Sequence, residues 1–377
     1  MQGKMKAARL YGFEKSHGSG ELVRVDEVPI PEVEAGEVLI RVLRAGLNHG
    51  DLHIREDALA YAEDAKAPYL PMILGHDGLG EVVEVGPDVE SVRVGDRVVV
   101  MCSITCGFCK YCRSERQHLC VMHRVMGFVA RWREGGIKQL LRYKDGLWAE
   151  YCRVPATNLV KLRPEDNIDE ICKVSQMTVG FRALKRARLG SGETVIVNGA
   201  SGVTGVGTVM SALAMGAAQV IAVARNPARL ERVRAIDPRR VATVALGAGE
   251  TITKKVQELT GGQGANVLAD LTPGGIETTV ECIKNLEPGG RVTLIGANPE
   301  PLNLPIRYLM IRSIELTSVT GRHYADFPEV IELARRGVID TRHVTTRYFP
   351  IGAINAALDH IEKRGDNDPI WPMYAAD

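Results

Sequence analysis

The sequence predicts an α/β protein with a β-rich first part and a second part built on a doubly wound parallel sheet. Short β-type runs separated by Gly and Pro fill residues 5–155, as at 36–42 and 95–100. From about residue 158, apolar runs such as 219–223 alternate with longer helical patterns. Strands that alternate with helices are typical of a parallel sheet covered by helices on both faces.

The composition is that of an ordinary globular protein. The chain has 377 residues, of which 45% are hydrophobic and 25% charged, enough for two or three domains with a large core. Lys and Arg number 47 and Asp and Glu 46, so no net field favours nucleic acid or an acidic membrane surface. No signal peptide opens the sequence, and no uncharged apolar run approaches the roughly 20 residues that cross a bilayer. We therefore expect a cytoplasmic protein with neither a nucleic-acid nor a membrane partner.

A glycine-rich loop between an apolar strand and a helical run predicts a nucleotide site. Such a loop lets the backbone approach a pyrophosphate, which also meets the free N–H groups and the dipole of the helix N-terminus. The alternative is a turn that packs the helix on the sheet without any ligand. The loop consists of Gly199, Ala200, Ser201, Gly202, Val203, Thr204 and Gly205.

The residues after the next predicted strand indicate which nucleotide binds. An acidic side chain there would hold a ribose 2′-hydroxyl, whereas a cation would accommodate a 2′-phosphate. Ala224, Arg225 and Asn226 stand at this position, and a guanidinium suits bidentate contact with phosphate. We therefore predict NADP(H) rather than NAD(H). The alternative is that Arg225 is a solvated surface residue at the start of a helix.

Four closely spaced cysteines predict a structural metal site, because reducing conditions disfavour disulfides. Four thiolates close a tetrahedral zinc shell and leave no position for water or substrate, so the ion would stabilise its lobe. Unrelated free thiols are the alternative. The cluster consists of Cys106, Cys109, Cys112 and Cys120. The isolated cysteines, which we expect to be buried and inert, are Cys102, Cys152, Cys172 and Cys282.

The β-rich first part, the cysteine cluster and the glycine-rich loop follow one another along the chain in this order. In this they resemble the zinc-type medium-chain dehydrogenase/reductase superfamily, which includes alcohol dehydrogenases and quinone or enoyl reductases. Further matching segments are GHDGLGEVV at 75–83, GDRV at 95–98 and AEY at 149–151, so the resemblance covers nearly the whole chain. It implies a GroES-like catalytic domain interrupted by a Rossmann domain, with the active site between them, and a homodimer or homotetramer. The implied divisions are 1–157 with a zinc lobe at 102–120, then 158–320, then a return to the first domain at 321–377.

The resemblance also implies a position for a catalytic zinc ion, and the sequence departs from the family there. Alcohol dehydrogenases of the family hold this ion with a cysteine, the histidine of a G-H-E segment, and a third Cys or acidic residue. Here Asn48 takes the place of the first ligand, His76 is kept, and Ser175 lies at or near the third. Because amide and hydroxyl groups are poor zinc ligands, we expect no catalytic zinc.

Without this ion, hydrogen-bond donors would have to polarise the substrate oxygen. Asn48 can donate an amide N–H, and the resemblance implies that Asp51 lies next to His76 and orients its imidazole as an acid. His53 stands where some relatives end a proton relay, and His49 where relatives contact the cofactor pyrophosphate. For each histidine the alternative is a core or surface residue bonded to backbone groups.

Two more expectations follow from the resemblance. The strand at 292–296, ending in Ile295 and Gly296, would run beneath the nicotinamide, and 314–318 would form the dimer edge.

Segments 55–69 and 123–147 look longer than is usual in the family and should border the cleft. The second carries six basic and two acidic residues. An anionic substrate is one interpretation, and a solvated loop or an oligomer contact is the other.

We predict an NADP(H)-dependent oxidoreductase that transfers a hydride between the nicotinamide and a small alcohol or carbonyl compound, without catalytic zinc and with one structural zinc. The alternative within the superfamily is a zinc-independent reductase of the C=C bond in an enone, quinone or enoyl thioester. Two alternatives come from other classes of protein. One is a non-catalytic protein that binds NADP(H) and zinc, and the other is a nucleic-acid-binding zinc module, which the even charge balance disfavours.

Overall fold

The structure, a computed structural model, describes most of the chain. The described residues are 2–13, 22–55, 70–114, 116–120, 122–128, 141–247, 249, 251–363 and 371–375. Residues 56–69, which are nearly all of the first segment expected to border the cleft, and 129–140, which are about half of the second, lie outside these ranges.

The first part of the chain is built from β-strands that pair antiparallel. They are β1 (Lys4–Leu10), β2 (Val23–Pro29), β3 (Glu37–Gly46), β4 (Met72–Ile73), β5 (Asp77–Val85), β6 (Arg97–Met101), β7 (Ser103–Ile104), β8 (Arg124–Val125), β9 (Tyr151–Pro155) and β10 (Leu159–Lys161). One sheet has the order β2-β1-β4, and β7 pairs with β8. In the largest sheet, β3 pairs with both β5 and β9, and most of its residues are buried.

The C-terminal end of the chain contributes two strands to the largest sheet. Strands β17 (Thr346–Phe349) and β18 (Trp371–Ala375) complete the largest sheet, whose order is β10-β6-β5-β3-β18-β17. Strand β10 pairs with β6, so residues 159–161 lie in the first sheet, although the sequence predicted a second domain from 158. The local sequence does not reveal this pairing, because a three-residue strand is too short for its pattern to show which sheet it joins.

The second part forms the predicted doubly wound parallel sheet. Its strands are β11 (Thr194–Asn198), β12 (Gln219–Ala224), β13 (Val241–Ala245), β14 (Ala265–Asp270), β15 (Leu286–Leu294) and β16 (Glu315–Ser318). All five pairings are parallel, in the order β13-β12-β11-β14-β15-β16. The strand order reverses between β11 and β14, and parallel sheets bind ligands in the crevice outside the carboxyl ends of such strands.

Helices cover both sheets and connect them. They are α1 (His49–Arg55), α2 (Ile168–Ile171), α3 (Val174–Arg186), α4 (Val203–Ala214), α5 (Pro227–Arg234), α6 (Ile252–Thr260), α7 (Ile276–Lys284), α8 (Ile306–Arg312), α9 (Asp326–Arg335) and α10 (Ile354–Glu362). Helix α10 packs on α1 and β18, whereas α3 packs on α4 and also reaches β5 and β6. None of the helices in the described ranges is long and apolar enough to cross a membrane.

The buried apolar residues form a core for each part and one shared layer. Ile40 and Trp148 belong to the core of the first domain, and Ile196 and Leu268 to a core on one face of the parallel sheet. The third cluster joins Leu79 of β5 to α3, α4 and the other face of the parallel sheet. Helix α3 therefore connects the two domains beside the crevice, and its first turn carries Ser175.

Candidate functional site

Four of the predicted catalytic residues come together in one cluster. Asn48 directly precedes α1, Asp51 lies in its first turn, and His76 directly precedes β5. Ser175 comes from the first turn of α3, and the cluster also includes Asp77, the first residue of β5. Asp51, His76, Asp77 and Ser175 are all buried. The cluster therefore joins two parts of the first domain to the helix that leads into the second.

A glycine fixes the backbone that carries His76. Gly75 has φ +96°, and a Cβ at this position would lie 2.3 Å from Cδ1 of Trp148, which is fully buried. Trp148 in turn donates its indole N–H to the carbonyl of Gly46, at 3.3 Å. Because the backbone passes so close to the indole ring, only glycine fits here without displacement. The GHD segment thus places His76 by close packing as well as by strand pairing.

The His76 ring is held by a buried carboxylate. Its Nδ1 lies 3.1 Å from Oδ1 of Asp51, whose other oxygen accepts the backbone N–H of Asn48 at 2.9 Å. An ionised carboxylate only accepts hydrogen bonds, so the Nδ1 atom of His76 carries the proton in this arrangement. The lone pair of the neutral ring is then on Nε2, which lies 3.2 Å from Nδ2 of Asn48.

The orientation of the Asn48 amide follows from its neighbours. Its Oδ1 accepts the backbone N–H of Gly50 at 2.7 Å, so its NH2 group points the other way. There Nδ2 lies 3.0 Å from Oδ2 of Asp77 and 3.2 Å from Nε2 of His76. The sequence predicted that Asn48 offers an amide N–H to substrate. In the described structure, both amide N–H groups are engaged within the protein.

Asp77 is fully buried and lies at the centre of the cluster. Besides Asn48, its carboxylate accepts from Oγ of Ser175 at 2.7 Å and from Nη2 of Arg322 at 2.5 Å. Burial by itself raises the pKa of the carboxyl. The Arg322 guanidinium and the hydrogen bonds from Ser175 and Asn48 outweigh it, and the pKa is lowered from 3.8. Asp77 is therefore an ionised, fully hydrogen-bonded group.

Sequence reasoning missed two residues of this site, Arg322 and Phe128. Arg322 lies in the loop that connects β16 to α9 and is buried. Its Nε donates to the backbone carbonyl of Ser175 at 2.9 Å. Phe128 lies against the ring of His76, with 4.5 Å between the ring centroids. Neither lies in a motif. Arg322 reaches Asp77 and Ser175, and Phe128 reaches His76, only through the tertiary fold. The one available signal is that a buried arginine needs a carboxylate partner.

The donors around His76 do not fit a catalytic zinc ion. Asn48 presents hydrogen atoms rather than a lone pair to the imidazole, and Ser175 directs its hydroxyl to Asp77. The Asp77 carboxylate is already neutralised by Arg322. Zinc in proteins takes its ligands from thiolate, imidazole and carboxylate lone pairs. Throughout the described part of the chain, the only set of three or more Cys, His, Asp or Glu side chains that converges on one point is the cysteine cluster.

The four cysteines of that cluster fit a structural zinc ion. All four Sγ atoms lie within 4.8 Å of one another. Cys106 and Cys112 are 3.9 Å apart, whereas the Cys109–Cys112 and Cys106–Cys120 pairs are 3.6 Å apart. A tetrahedral ion with Zn–S bonds of about 2.3 Å places its sulfur atoms about 3.8 Å apart. Hydrogen bonding from the backbone N–H of Cys112 lowers the pKa of the Cys109 thiol to about 6, which favours the thiolate.

The remaining cysteines are buried, as predicted. They are Cys102, Cys152, Cys172 and Cys282. Burial raises the pKa of each of their thiols, which disfavours the reactive thiolate form.

The glycine-rich loop connects β11 to α4 at the crevice. Gly199 has φ +85°, and a Cβ at Gly205 would lie 2.1 Å from the carbonyl oxygen of Gly199. The tight turn therefore requires glycine at both positions. Gly202 precedes the first turn of α4 without a side-chain cap, which leaves backbone N–H groups available to a phosphate. This arrangement fits the pyrophosphate of a dinucleotide.

The other predicted cofactor residues lie at the carboxyl ends of β12 and β15, which flank β11 and β14 in the sheet. Arg225 follows β12 and is exposed, and Asn226 beside it caps α5 by accepting the backbone N–H of Arg229 at 3.0 Å. Ile295 and Gly296 follow β15, and both donate their backbone N–H groups to the carbonyl of Asp270, at 2.8 and 3.1 Å. These residues therefore border the same crevice as the loop.

The two remaining predicted histidines lie on α1. His49 is exposed and His53 is half-buried, and their ring centroids are 6.4 Å apart. The hydrogen bonds that fix the His76 cluster come from other residues. A role for either histidine stays a prediction.

Three of the six basic residues behind the anionic-substrate interpretation have partners within the protein. Arg142 donates to the Glu37 carboxylate at 2.8 and 2.6 Å, and Lys144 donates to the carbonyl of Pro71 at 2.7 Å. Arg124 is buried and donates to a backbone carbonyl at 2.6 Å. The interpretation now depends on basic residues that lie outside the described ranges, namely Arg131, Arg133 and Lys138.

Comparison with known proteins assigns both domains. The family described as the alcohol dehydrogenase GroES-like domain matches residues 34–164, and the zinc-binding dehydrogenase family matches 203–336. The chain is 30% identical over 369 residues to an alcohol dehydrogenase of Geobacillus stearothermophilus, covering 95% of this chain and 96% of that protein. It is 32% identical over 351 residues to an L-threonine 3-dehydrogenase of Thermococcus kodakarensis, covering 93% and 91%.

A solved structure shows the same architecture over the full length. A thermostable alcohol dehydrogenase from Pyrobaculum aerophilum has a TM-score of 0.79 and 27% identity, covering 99% of this chain and 100% of that one. The order of a GroES-like domain, a cysteine lobe and a nucleotide-binding parallel sheet agrees with these matches. The chain therefore belongs to the zinc-type medium-chain dehydrogenase/reductase superfamily and is an oxidoreductase of the alcohol dehydrogenase-like type.

Proposed function

We propose that this oxidoreductase uses NADP(H) to interconvert a small alcohol and its carbonyl compound without a catalytic zinc ion. The observation that carries the proposal is the orientation of the Asn48 amide. Its two N–H groups lie against His76 and Asp77, at a position where zinc-dependent relatives carry a metal ligand. The charge that develops on the substrate oxygen must then be stabilised by hydrogen-bond donors.

Asn48 and His76 form a donor pair when the imidazole is protonated. The neutral ring accepts an N–H from Asn48 across 3.2 Å. A proton on Nε2 turns this acceptor into a second donor and releases that N–H of Asn48. A substrate oxygen can then lie about 2.9 Å from both nitrogen atoms, which is an ordinary hydrogen-bond distance.

Asp51 and Asp77 keep the pair in position during the reaction. In alcohol oxidation the O–H bond breaks and its proton goes to Nε2 of His76. Nδ1 of His76 keeps its own proton and donates it in a hydrogen bond to Asp51, whose negative charge stabilises the resulting imidazolium. Asp77 keeps one N–H of Asn48 engaged at 3.0 Å, so that the other stays directed at the substrate oxygen. A nicotinamide cofactor held at the glycine-rich loop from Gly199 to Gly205 would supply the hydride chemistry at the carbinol carbon in both directions.

Arg225 supports the preference for NADP(H). It is exposed at the end of β12, the strand next to the one that precedes the glycine-rich loop. In dinucleotide-binding folds, a residue at this position contacts the 2′-phosphate of NADP(H). We expect Arg225→Ala to lower the ratio of kcat/KM for NADPH to that for NADH by about tenfold or more, as for the loss of a hydrogen bond to a charged group. Arg239→Ala, on an exposed turn between α5 and β13, is the control.

Metal content and the position of a transferred deuterium test the proposal. We expect one zinc ion per chain, held by the cysteine cluster. We also expect full activity in a buffer whose chelator removes other metal ions but leaves this ion bound. Deuterium from labelled NADPH should appear on a carbinol carbon. A second zinc ion required for turnover would refute zinc independence. Deuterium beta to a retained carbonyl would instead identify a C=C reductase, which the same donor pair could serve by polarising the enone oxygen.

The predicted homo-oligomer and cytoplasmic location stay predictions. Strand β16 is the outer strand of the parallel sheet, and Leu316 in it is exposed. An exposed edge strand can pair with the same strand of a second copy. Light scattering of the purified protein and of Leu316→Lys measures whether this edge is used.

A further inference from the structure

His123 lies at the end of the segment that leaves the cysteine cluster. It follows Cys120 by three residues, donates its backbone N–H to the Cys120 carbonyl at 3.0 Å, and is only 5% exposed. Sγ of Cys120 accepts the backbone N–H of Met122 at 3.4 Å, and the carbonyl of His123 accepts Nη1 of Arg124 at 2.6 Å. The turn after Cys120 therefore fixes the backbone that carries the His123 ring.

The imidazole of His123 packs against Gly321, in the loop that connects β16 to α9. Gly321 has φ +72°, and a Cβ at this position would lie 3.5 Å from both Cε1 and Nε2 of the ring. The loop is anchored at its start by Val319, whose backbone N–H donates to the carbonyl of Leu294 at 3.1 Å. Because glycine adopts many backbone conformations, it keeps one of them only where its neighbours hold it. The His123 ring is such a neighbour.

The residue after Gly321 is Arg322, which belongs to the His76 cluster. Its Nη2 lies 2.5 Å from Oδ1 of Asp77. The other carboxylate oxygen of Asp77 accepts Nδ2 of Asn48 at 3.0 Å. A change in the backbone at Gly321 would move the guanidinium, and with it the carboxylate that orients the Asn48 amide.

We propose that His123 is a positioning residue for the reaction, whose ring holds Gly321 and so keeps Arg322 against Asp77. The inference rests on the proposed function, in which the Asn48 amide donates to the substrate oxygen. His123 acts on the substrate only through these groups, so it is not itself a catalytic residue. A displacement of about 1 Å in a positioned group lowers a rate by about a hundredfold.

The first test is His123→Ala, which removes the ring beside Gly321. We expect kcat for alcohol oxidation to fall about tenfold or more, with the KM for the cofactor unchanged, because the glycine-rich loop keeps its contacts. His123→Phe keeps a ring at this position and should restore most of kcat. His118→Ala removes another partly buried imidazole of the cysteine segment and should leave kcat unchanged. Zinc content should stay at one ion per chain in all three variants.

A double-mutant cycle with Arg322→Gln tests the route. Residues that act through one contact give losses that do not multiply. We therefore expect His123→Ala/Arg322→Gln to lose no more of kcat than Arg322→Gln alone. If Arg322→Gln does not fold, Arg322→Lys, which keeps the positive charge, takes its place. The same cycle is read from the midpoint of denaturant unfolding, which requires no activity.

The outcomes separate this inference from the proposed function. If the two losses multiply, if His123→Ala keeps the kcat of the wild type, or if His118→Ala loses as much, the inference is wrong while the proposed function stands. If turnover requires a second zinc ion, the proposed function fails. The cycle still decides the inference in that case, because it compares each variant only with the wild type.

Discussion

The cysteine cluster and the His76 cluster use their polar atoms in opposite ways. In the cysteine cluster, four sulfur atoms face one another within 4.8 Å, and backbone N–H groups contact them from outside. In the His76 cluster, the groups that face one another are already matched as donor and acceptor. Only the first arrangement leaves lone pairs that an ion can take.

This difference shows how polar groups can fill a buried cluster without leaving lone pairs for an ion. The Asn48 amide fills the space between an imidazole and a carboxylate and satisfies both. Arg322 supplies a positive charge directly beside the Asp77 carboxylate. A buried carboxylate that is paired and hydrogen-bonded is stable, whereas an unpaired one is not. The His76 cluster is therefore complete as a set of hydrogen bonds.

The largest effect is expected from Cys112→Ser. Loss of one thiolate opens the tetrahedral shell, and on the order of 10 kcal/mol of metal-binding free energy in such sites is also folding free energy. We expect zinc content to fall from one ion per chain to none, with a clear drop in thermal stability. Elemental analysis and calorimetry measure both. Retained zinc in this variant would show that the four cysteines are not the ligands.

The double variant Asn48→Cys/Ser175→Cys tests whether donor chemistry alone separates the two clusters. It places thiols beside His76 at the two positions where related alcohol dehydrogenases carry zinc ligands. We expect zinc content to rise from one ion per chain to two, whereas Asn48→Ser as a control stays at one. A folded double variant that still binds one ion would mean that the Asp77–Arg322 pair, and not the missing ligands, excludes the metal.

His76→Ala should separate catalysis from metal binding. Removing the acid–base group should lower kcat by a factor on the order of 10² to 10⁴, with zinc content unchanged. Steady-state kinetics and elemental analysis on the same sample give both values. His343→Ala, which removes an exposed imidazole far from the cluster in sequence, is the control. Loss of zinc with His76 would contradict the separation of the two sites.

Arg322→Gln tests the hydrogen-bonded character of the His76 cluster. It leaves Asp77 buried without its counter-charge, which typically costs about 3–5 kcal/mol of unfolding free energy. Because the folded pKa of Asp77 is lowered, its contribution is present above the unfolded pKa and is lost as pH falls through the folded value. The difference between wild type and variant should therefore be large at pH 7 and shrink below about pH 4.

Denaturant unfolding of both proteins at several pH values measures that difference. Arg342→Gln is the matched control, because it breaks the exposed ion pair with Asp340 and should change stability little. An Arg322→Gln variant as stable as the wild type at pH 7 would show that Asp77 does not need the guanidinium.

The features that could be predicted are those set by local spacing. The strand–helix alternation gave the parallel sheet, and the loop from Gly199 to Gly205 lies between β11 and α4 as expected. Cys106 to Cys120 converge because turns within a short segment can bring their sulfur atoms together. Asp51 and Ser175 also reach the His76 cluster, but there the expectation came from the resemblance and not from spacing.

The features that could not be predicted depend on the direction of single hydrogen bonds or on distant contacts. The sequence suggested that Asn48 is a free donor, but Gly50 turns its amide so that both N–H groups are engaged. No pattern connects Arg322 or Phe128 to His76.

The sequence by itself determined the two-domain α/β architecture, the thiolate cluster and the nucleotide loop, because each follows from the order and spacing of nearby residues. Tertiary structure decided how the polar atoms around His76 are matched. Segments from the first domain, from the first turn of α3 and from the loop before α9 meet there, and Asn48, Asp77 and Arg322 acquire their partners only when these segments pack. Burial then requires every donor and acceptor to be satisfied, and that requirement acts on the folded arrangement rather than on the sequence.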